Sequence, residues 1–254
     1  MRPPSPEPPP GFVRFRVSRS EVTCVVSVAD ALRDILRADT LYEFAARQPD
    51  ARPLTGRGVV YALSLPHTNE RVVVRRNRHG GLLGQIRGDL FLPPTRAPRE
   101  LNISERLRHH GVPTPQMLGY VLYDAPAGLL RADVMTREVA NAVDLSTPLQ
   151  SPDAAERIRA LAGTAQLVTA LSNMGARHRD LNVKNVLLGI EDLTPRVMVL
   201  DVDRVTFPTG SVDVLEQNLA RLLRSARKWQ QQHGARVTEP ELAEFAALVR
   251  GRRL

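Results

Sequence analysis

The stretch ARHRDLNVKNVLL, residues 176–188, constrains the fold of this chain more than any other feature. It places a His, an Asp, two Asn and a Lys directly before an apolar run that is typical of a buried strand. Polar side chains beside a buried strand need hydrogen-bond partners or a ligand, because burying them unpaired is costly. The stretch therefore indicates either a heavily capped turn or a binding loop.

The spacing within this stretch favours a binding loop with a defined chemistry. The tetrapeptide HRDL at 178–181, followed by Asn185, matches the H-R-D-L-x-x-x-N pattern of protein-kinase catalytic loops. In that pattern Asp180 accepts a hydrogen bond from the substrate hydroxyl, and Asn185 holds a magnesium ion that bridges the nucleotide phosphates. Sixteen residues after Asn185, the strand-like run VMVL ends in Asp201, a second hard oxygen ligand for Mg²⁺. The alternative is that these side chains only satisfy a turn, as Asp and Asn commonly do.

Composition narrows the class of protein. With 254 residues, of which 43% are hydrophobic and 4% aromatic, the chain predicts a globular core built mainly from Leu, Val and Ala. The 35 Lys and Arg against 27 Asp and Glu favour an anionic partner: nucleotide phosphate, nucleic acid or an acidic membrane surface. A nucleic-acid binder would explain the charge but not the 178–185 residues. The single Cys24 excludes an internal disulfide and is expected to be a strand residue of a cytoplasmic protein.

The N-terminus predicts neither secretion nor membrane insertion. Residues 1–11, MRPPSPEPPPG, are expected to form a disordered tail, because so much Pro cannot pair in a sheet or continue a helix. The N-terminus lacks the apolar core of a signal peptide, and no apolar run is long enough to cross a bilayer. Any membrane contact is therefore expected to be peripheral.

The first half of the chain predicts a mostly antiparallel sheet with one inserted helix. One or two strands are expected at 12–26, and further strands at 59–65, 71–76, 119–125 and 129–139. Expected helices lie at 28–37, 40–47 and 98–110.

The second half begins with a strong helix signal. Ser151 is expected to be the N-cap, Pro152 the first helical residue and Gly175 the C-cap. The predicted apolar face has three- and four-residue spacing and comprises Ile158, Leu161, Ala165, Val168 and Leu171. The polar stretch thus begins directly after a buried helix.

A second helix is predicted at 212–232 and is expected to end the second lobe. Arg221, Arg224 and Lys228 fall on one face of it, at spacings of three and four residues. Such a stripe is either a solvated basic face or a contact for an anionic substrate or membrane.

Two features of the first half could contact nucleotide phosphates. Gly56 and Gly58 lie in LTGRGVVY, which resembles a shortened Gly-rich loop, although a plain hairpin turn has the same composition. Arg75 ends the run VVVR at the place where protein kinases have a Lys that pairs with the phosphates and a helix Glu. Glu100 is the candidate for that Glu. The alternatives are a solvated strand charge for Arg75 and a first-turn helix acid for Glu100.

Together these motifs resemble the bacterial lipopolysaccharide kinases, in particular the 3-deoxy-D-manno-octulosonic acid (Kdo) kinases, from about residue 41 to 228. The quoted pieces are LYEFA, LTGRG, VVVRR, HGGLLG, GVPTP, DLNVKNVLL, LDVDR and NLARLLRSARK. The resemblance implies a two-lobed α+β protein-kinase-like fold with a short C-terminal lobe and no long activation segment. The expected lobes are 12–139 and 140–254. Family members also carry Arg at the position of Arg75.

The resemblance also implies an activity. ATP would bind with its adenine against the backbone around Glu138 and Val139, and its γ-phosphoryl group would pass to a sugar hydroxyl of lipid-linked Kdo. Asp180 would act on that hydroxyl and Asn185 and Asp201 would hold Mg²⁺. The protein would be cytoplasmic and peripheral on the inner face of the inner membrane. The rivals are a kinase for another small molecule or for protein, and a pseudokinase that binds nucleotide or lipid without turnover; the complete Asp and Asn set argues against the pseudokinase.

Overall fold

The computed structural model describes residues 7–54, 58–77 and 88–251 and divides the chain into two compact units. The first comprises the described residues up to Glu105 together with Gln116–Glu138. The second comprises Arg106–Pro115 and the described residues from Val139 onward. The sequence predicts one break after residue 139, whereas the structure adds an earlier segment to the second unit.

Hydrogen bonds explain why that earlier segment belongs to the second unit. The Val199 N–H donates to the Pro113 carbonyl at 2.9 Å. The Arg108 guanidinium donates to Glu191 at 3.1 Å and to the Thr114 carbonyl at 2.6 Å. The bonds from Val199 to Pro113 and from Arg108 to Glu191 join residues more than 80 positions apart in the chain, so local sequence patterns do not reveal them.

The first unit is built on an antiparallel sheet, as the sequence predicts. Its described strands are β1 (Phe12–Val17), β2 (Ser20–Val25), β3 (Arg52–Leu54), β4 (Val60–Ser64), β5 (Arg71–Arg76), β6 (Met117–Asp124) and β7 (Leu130–Arg137). They pair in the order β1-β2-β6-β7-β5-β4-β3. The helices are α1 (Ala29–Ala38), α2 (Leu41–Arg47) and α3 (Ala97–His109), whose residues up to Glu105 belong to this unit. Every helix and strand predicted for this half of the chain is present, with ends that differ by a few residues.

The N-terminal segment, which no motif identifies, is part of this sheet. β2 pairs with β6, and a Cβ placed on Gly119 of β6 would lie 2.6 Å from both the Cys24 Cβ and the Thr23 carbonyl oxygen. Only glycine permits so close a strand contact. Burial raises the pKa of the Cys24 thiol to about 12, which makes it a packing residue, as its strand context predicts.

A buried charged cluster fixes α2 against the sheet. The Asp133 carboxylate is fully buried and accepts hydrogen bonds from the Tyr42 N–H at 3.0 Å and from Arg76 Nε at 3.3 Å. Its pKa is raised, chiefly by burial. The Arg76 guanidinium also lies 4.6 Å from the centre of the Tyr42 ring. This cluster stabilises β5 next to Arg75.

The second unit combines helices with short sheets. Its described helices are α4 (Ser146–Leu149), α5 (Ala154–Asn173), α6 (Val214–Gln232) and α7 (Glu239–Val249). Its described strands are β8 (Ala140–Asp144), β9 (Arg177–His178), β10 (Val186–Glu191), β11 (Thr194–Val199) and β12 (Val205–Thr206). β10 lies between β8 and β11, and β9 pairs with β12. Within the described ranges, none of the helices combines the length and the apolar character that crossing a membrane requires.

Two details of α5 differ from the prediction. The N-cap is Asp153, whose side chain accepts the Ala155 N–H at 2.9 Å, and not Ser151. Asp is as good an N-cap as Ser, and here it lies closer to the first helical turn. Ile158 is 42% exposed and lies outside the buried face, which starts at Arg157 and Ala160.

The prediction that the lobe ends with the helix at 212–232 is wrong, because α7 follows it. Thr238 and Glu241 form a capping box at the start of α7, with Pro240 in the first turn. Glu241 also receives three hydrogen bonds from the nearly buried Arg157 of α5, the shortest at 2.7 Å. This ion pair joins the last helix to the first long helix of the unit.

Candidate active site

The loop between β9 and β10 carries Asp180 in a defined geometry. Asn182 caps the 3₁₀ turn Val183–Asn185, since its side-chain oxygen accepts the Lys184 N–H at 2.9 Å. The amide nitrogen of the same side chain lies 2.9 Å from the Asp180 carbonyl oxygen and 3.4 Å from Asp180 Oδ1. Asn182 therefore orients the Asp180 backbone and contacts its carboxylate.

Asn185 connects this loop to the strand that precedes Asp201. Its side-chain nitrogen donates to the Asp180 carbonyl at 2.8 Å, and its own carbonyl accepts the Leu200 N–H at 2.9 Å. The Asn185 side chain is largely buried. The amide is oriented so that its nitrogen is used within the loop and its Oδ1 is the atom available to a cation.

Asp201 follows β11 with an unusual backbone. Its φ and ψ are 51° and 45°, the left-handed region that costs a non-glycine residue about 1–2 kcal/mol. The 3₁₀ turn Val202–Arg204 follows, with the Arg204 N–H donating to the Asp201 carbonyl at 3.0 Å. Strain of this kind is concentrated at functional sites, and here it leaves the Asp201 side chain exposed.

His178 joins the two carboxylate residues through hydrogen bonds to the backbone. Its imidazole is buried; Nε2 lies 2.9 Å from the Leu200 carbonyl and Nδ1 lies 3.2 Å from the Asp180 nitrogen. A neutral ring with the proton on Nε2 satisfies both contacts, because Nδ1 then accepts the Asp180 N–H. Burial lowers the pKa of His178, which favours this neutral form. His178 is thus a positioning residue for Asp180 and Asp201.

Helix α6 holds the segment around Asp180 through two side-chain hydrogen-bonding groups. Its fully buried Asn218 accepts the His178 N–H at 3.0 Å and donates to the Ala176 carbonyl at 2.9 Å. Two turns further along, Ser225 Oγ accepts the Val183 N–H at 3.1 Å. Two side chains of one helix therefore satisfy buried backbone groups of the loop.

The oxygen atoms offered by Asn185 and Asp201 suit a magnesium ion. Mg²⁺ prefers oxygen ligands and binds through one or two protein groups plus substrate phosphates. Among the residues the structure describes, no N–H or O–H donates to Asn185 Oδ1 or to the Asp201 carboxylate. The bond between Leu200 and Asn185 also holds their backbones side by side. The donor set fits the ion that the sequence predicts.

The first unit contains the predicted pairing of Arg75 with Glu100. One terminal guanidinium nitrogen of Arg75 contacts Glu100 Oε1, and the other donates to Asn77 Oδ1 at 2.6 Å. Glu100 lies on α3 and is buried. Two acceptors thus fix the guanidinium, and Arg75 is not a solvated strand charge.

The other predicted nucleotide contacts are less defined. Gly56 lies outside the described residues, as does the HGGLLG segment. Gly58 is described, and no described atom lies within 4 Å of a Cβ placed on it, so its surroundings do not require glycine. The Glu138 N–H donates to the Arg71 carbonyl at 2.9 Å, and its carboxylate pairs with Arg52 and Arg71 at 2.6 Å. Any adenine contact of Glu138 therefore concerns its carbonyl oxygen.

The predicted cationic stripe lies on α6. Arg224 and Lys228 are exposed and Arg221 is half-buried. In the described part of the chain, no carboxylate pairs with any of the three, whereas their neighbour Arg227 pairs with Glu239 at 2.9 Å. The stripe is thus an unneutralised positive surface.

Sequence reasoning missed the residues that hold the site in place. Asn77, Asn218 and Ser225 act through contacts with residues that are remote in the chain or carry no motif of their own. The signal for Asn218 was its place at the start of NLARLLRSARK, one of the segments that carry the family resemblance. Asn77 directly follows the VVVRR run.

This fold and loop geometry define the class of the chain as kinase-like. Among solved structures, the chain is similar to WaaP in complex with acyl carrier protein, with a TM-score of 0.53 and 19% identity. That match covers 85% of this chain and 84% of WaaP. The predicted α+β kinase-like fold is confirmed.

The particular family follows from the sequence comparisons. The model of the lipopolysaccharide kinase (Kdo/WaaP) family matches residues 50–240, and the chain belongs to that family. A 3-deoxy-D-manno-octulosonic acid kinase of Actinobacillus succinogenes is 31% identical over 189 residues, covering 72% of this chain and 78% of the relative. The Kdo kinase of Vibrio vulnificus is 30% identical, and the match covers 68% of this chain and 72% of the relative. That of Haemophilus influenzae is 28% identical, and the match covers 76% of this chain and 81% of the relative. The chain is therefore a kinase that acts on a sugar of the lipopolysaccharide core.

Proposed function

We propose that this chain transfers the γ-phosphoryl group of ATP to a hydroxyl of Kdo in a lipid-linked acceptor. The relatives that are similar over most of their length are Kdo kinases. The observation that carries the proposal is the single hydrogen-bonded network in which His178 and Asn185 connect Asp180 to the residue preceding Asp201. A turn that only satisfied its own backbone would not need a neutral, buried His linking the two carboxylate residues.

The proposed step moves one phosphoryl group and one proton. The acceptor hydroxyl oxygen forms a bond to the γ-phosphorus, the bond from that phosphorus to the β,γ-bridging oxygen breaks, and ADP leaves. The hydroxyl proton passes to the Asp180 carboxylate, which orients the nucleophile before it attacks. Most of the rate acceleration comes from positioning and charge stabilisation, because the protein forms no covalent bond itself.

Each unit, taken by itself, contains proposed nucleotide contacts. In the second unit, Asn185 and Asp201 would hold Mg²⁺, which when bound neutralises charge on the phosphates. In the first, Arg75 binds phosphate oxygens in a fork geometry that Glu100 and Asn77 hold fixed. Gly58 would contact phosphate, as the sequence predicts for Gly56 as well, and the backbone at Glu138 and Val139 would contact the adenine.

The acceptor is lipid-linked, so we also propose that the chain works in the cytoplasm as a peripheral protein on the inner face of the inner membrane. Support comes from the formal net charge of +8 and from the unneutralised cations Arg221, Arg224 and Lys228. Anionic lipids attract such surfaces.

The decisive experiment is a phosphate-transfer assay with the purified protein, ATP and Mg²⁺. Kdo-bearing lipid A and a generic protein are offered side by side as acceptors, with Asp180→Asn as the inactive control. Phosphorylation of the Kdo acceptor alone is the expected result. Transfer to the protein acceptor would reassign the substrate, and nucleotide binding without any turnover would make the chain a pseudokinase.

A further inference from the structure

Three cationic side chains on α6 have no carboxylate partner within the described ranges. Arg221, Arg224 and Lys228 lie within eight residues of one another, and no carboxylate in the described ranges pairs with them. Other arginines of the second unit, such as Arg157, Arg227 and Arg250, form ion pairs with Glu241, Glu239 and Glu216. A concentration of like charge on one helix lowers stability unless an anion balances it.

The position of two of these cations relative to the catalytic loop is fixed by Ser225. Its hydroxyl accepts the Val183 N–H at 3.1 Å, and Val183 lies three residues after Asp180. Arg221 lies four residues before Ser225 and Lys228 three residues after it. Residues at those spacings share one side of a helix, so both cations lie beside the helix residue that touches the loop. Arg224 is turned further away from that contact.

Lys184, the lysine of the loop that carries Asp180, differs from these cations because its charge is neutralised. Lys184 Nζ lies 2.9 Å from the Asp144 carboxylate and 4.8 Å from the centre of the Trp229 ring, so its charge is already balanced within the unit. Trp229 is the next residue after Lys228 and is the single Trp of the chain. It therefore reports on changes at this end of the surface.

We infer that Arg221 and Lys228 bind the carboxylate of the acceptor sugar. The inference rests on the proposed function, in which the acceptor sugar is an octulosonic acid and so carries a carboxylate close to its hydroxyls. Arg offers a planar fork that matches a carboxylate, and Lys adds a point charge. Flanking the loop that holds Asp180, the pair recognises an acidic sugar and orients it for transfer.

The test removes the charge from either the protein or the acceptor. A short soluble Kdo glycoside and its carboxamide analogue, which lacks the negative charge, are compared as acceptors for the parent protein and for Arg221→Gln/Lys228→Gln. We expect the parent to prefer the carboxylate by roughly 10–100-fold in kcat/KM, mostly through KM, as two charge-assisted contacts would give. The double variant should use both acceptors about equally.

Arg227→Gln is the matched control, because it removes an arginine from the same helix whose charge is already balanced by Glu239. It should keep the parent's preference for the carboxylate. Single Arg221→Gln and Lys228→Gln variants should each lose part of the preference, and thermal melting checks that every variant folds.

A binding measurement separates recognition from turnover. Titration of the carboxylate glycoside into Asp180→Asn should change Trp229 fluorescence, and adding the two Gln substitutions should weaken that binding by the same factor as in KM. If the parent uses the two acceptors equally, or the double variant keeps the preference, the inference is wrong while the proposed function stands. If the parent phosphorylates no Kdo acceptor at all, both fail together.

Discussion

Asp180 is the residue on which the proposed chemistry depends most directly. Asp180→Asn keeps the size of the side chain but removes the carboxylate that receives the hydroxyl proton. We expect kcat to fall by ~10²–10⁴-fold, the usual contribution of a general base, while ATP affinity stays close to that of the parent. Asp201→Asn is the matched comparison, since it should weaken Mg²⁺-dependent ATP binding as well as turnover. Parent-like phosphorylation by both variants would remove these residues from the active site.

The buried His178 predicts a pH dependence of stability. Burial lowers its pKa below the usual value of about 6.5, so the unfolded chain binds this proton more readily than the folded one. The stabilisation is complete above about pH 6.5 and is lost as the pH falls from there towards the lower folded-state pKa.

Urea unfolding of the Mg²⁺-free protein at about pH 7.5 and about pH 5.5 measures this effect, which is at most ~1.4 kcal/mol for each pH unit below 6.5. His178→Gln is the control, because Gln binds no proton in this range. The parent should lose more stability on acidification than the variant does. Equal losses would show that His178 is not the titrating group.

At the scale of elements, β5 and α3 are joined by the pairing of Arg75 with Glu100. This pairing holds the side chain that we propose binds the nucleotide phosphates. Arg75→Lys keeps the charge, but a single ammonium nitrogen cannot reproduce the two fixed contacts to Asn77 and Glu100. We expect kcat/KM for ATP to fall by roughly 10-fold or more, since one charge-assisted hydrogen bond is lost and the phosphate contact is misaligned.

The control for this prediction is Arg131→Lys, which changes an exposed arginine of β7 that pairs with Asp89. It should behave like the parent, since exposed ion pairs contribute little. If Arg75→Lys also matched the parent, Arg75 would supply only charge, or would lie outside the nucleotide site.

Most elements could be predicted from the sequence because they depend on local signals. The strands of the first unit are rich in β-branched residues. In α5 and α6, apolar residues recur at three- and four-residue spacing over most of the helix. α7 was missed, although the capping box of Thr238 and Glu241 is readable in the sequence. β8 was missed because the five-residue ANAVD is largely exposed and shows no apolar alternation.

The residues of the candidate site also fall into two groups, those that the sequence predicts and those that it does not. The positions of Asp180, Asn185 and Asp201 follow from fixed spacings along the chain. The supports of the site do not: the hydrogen bond from His178 to Asn218 joins residues 40 positions apart, and the contact of Arg76 with Asp133 spans 57. Contacts of this kind depend on packing between distant segments, which a single sequence does not encode in any local pattern.

At the scale of the whole molecule, the excess of positive charge predicts how the protein meets a lipid-linked acceptor. Each Lys or Arg near an anionic leaflet contributes ~1 kcal/mol of attraction, so Arg221, Arg224 and Lys228 together contribute ~3 kcal/mol at low salt. The attraction decays within a Debye length of about 8 Å at physiological ionic strength. We therefore expect peripheral binding to anionic vesicles that weakens as salt is added.

Sedimentation with vesicles that contain anionic lipid but no Kdo measures this attraction without any acceptor. Replacing the three cations by Gln should reduce binding by up to ~100-fold at low salt, since each 1.4 kcal/mol is a factor of ten. Neutral vesicles should bind neither protein. Arg227→Gln is the matched control and should change little, because the charge of Arg227 is already balanced by Glu239. If the triple variant bound anionic vesicles as well as the parent, the membrane contact would lie on another surface, and the cations of α6 would serve the acceptor sugar alone.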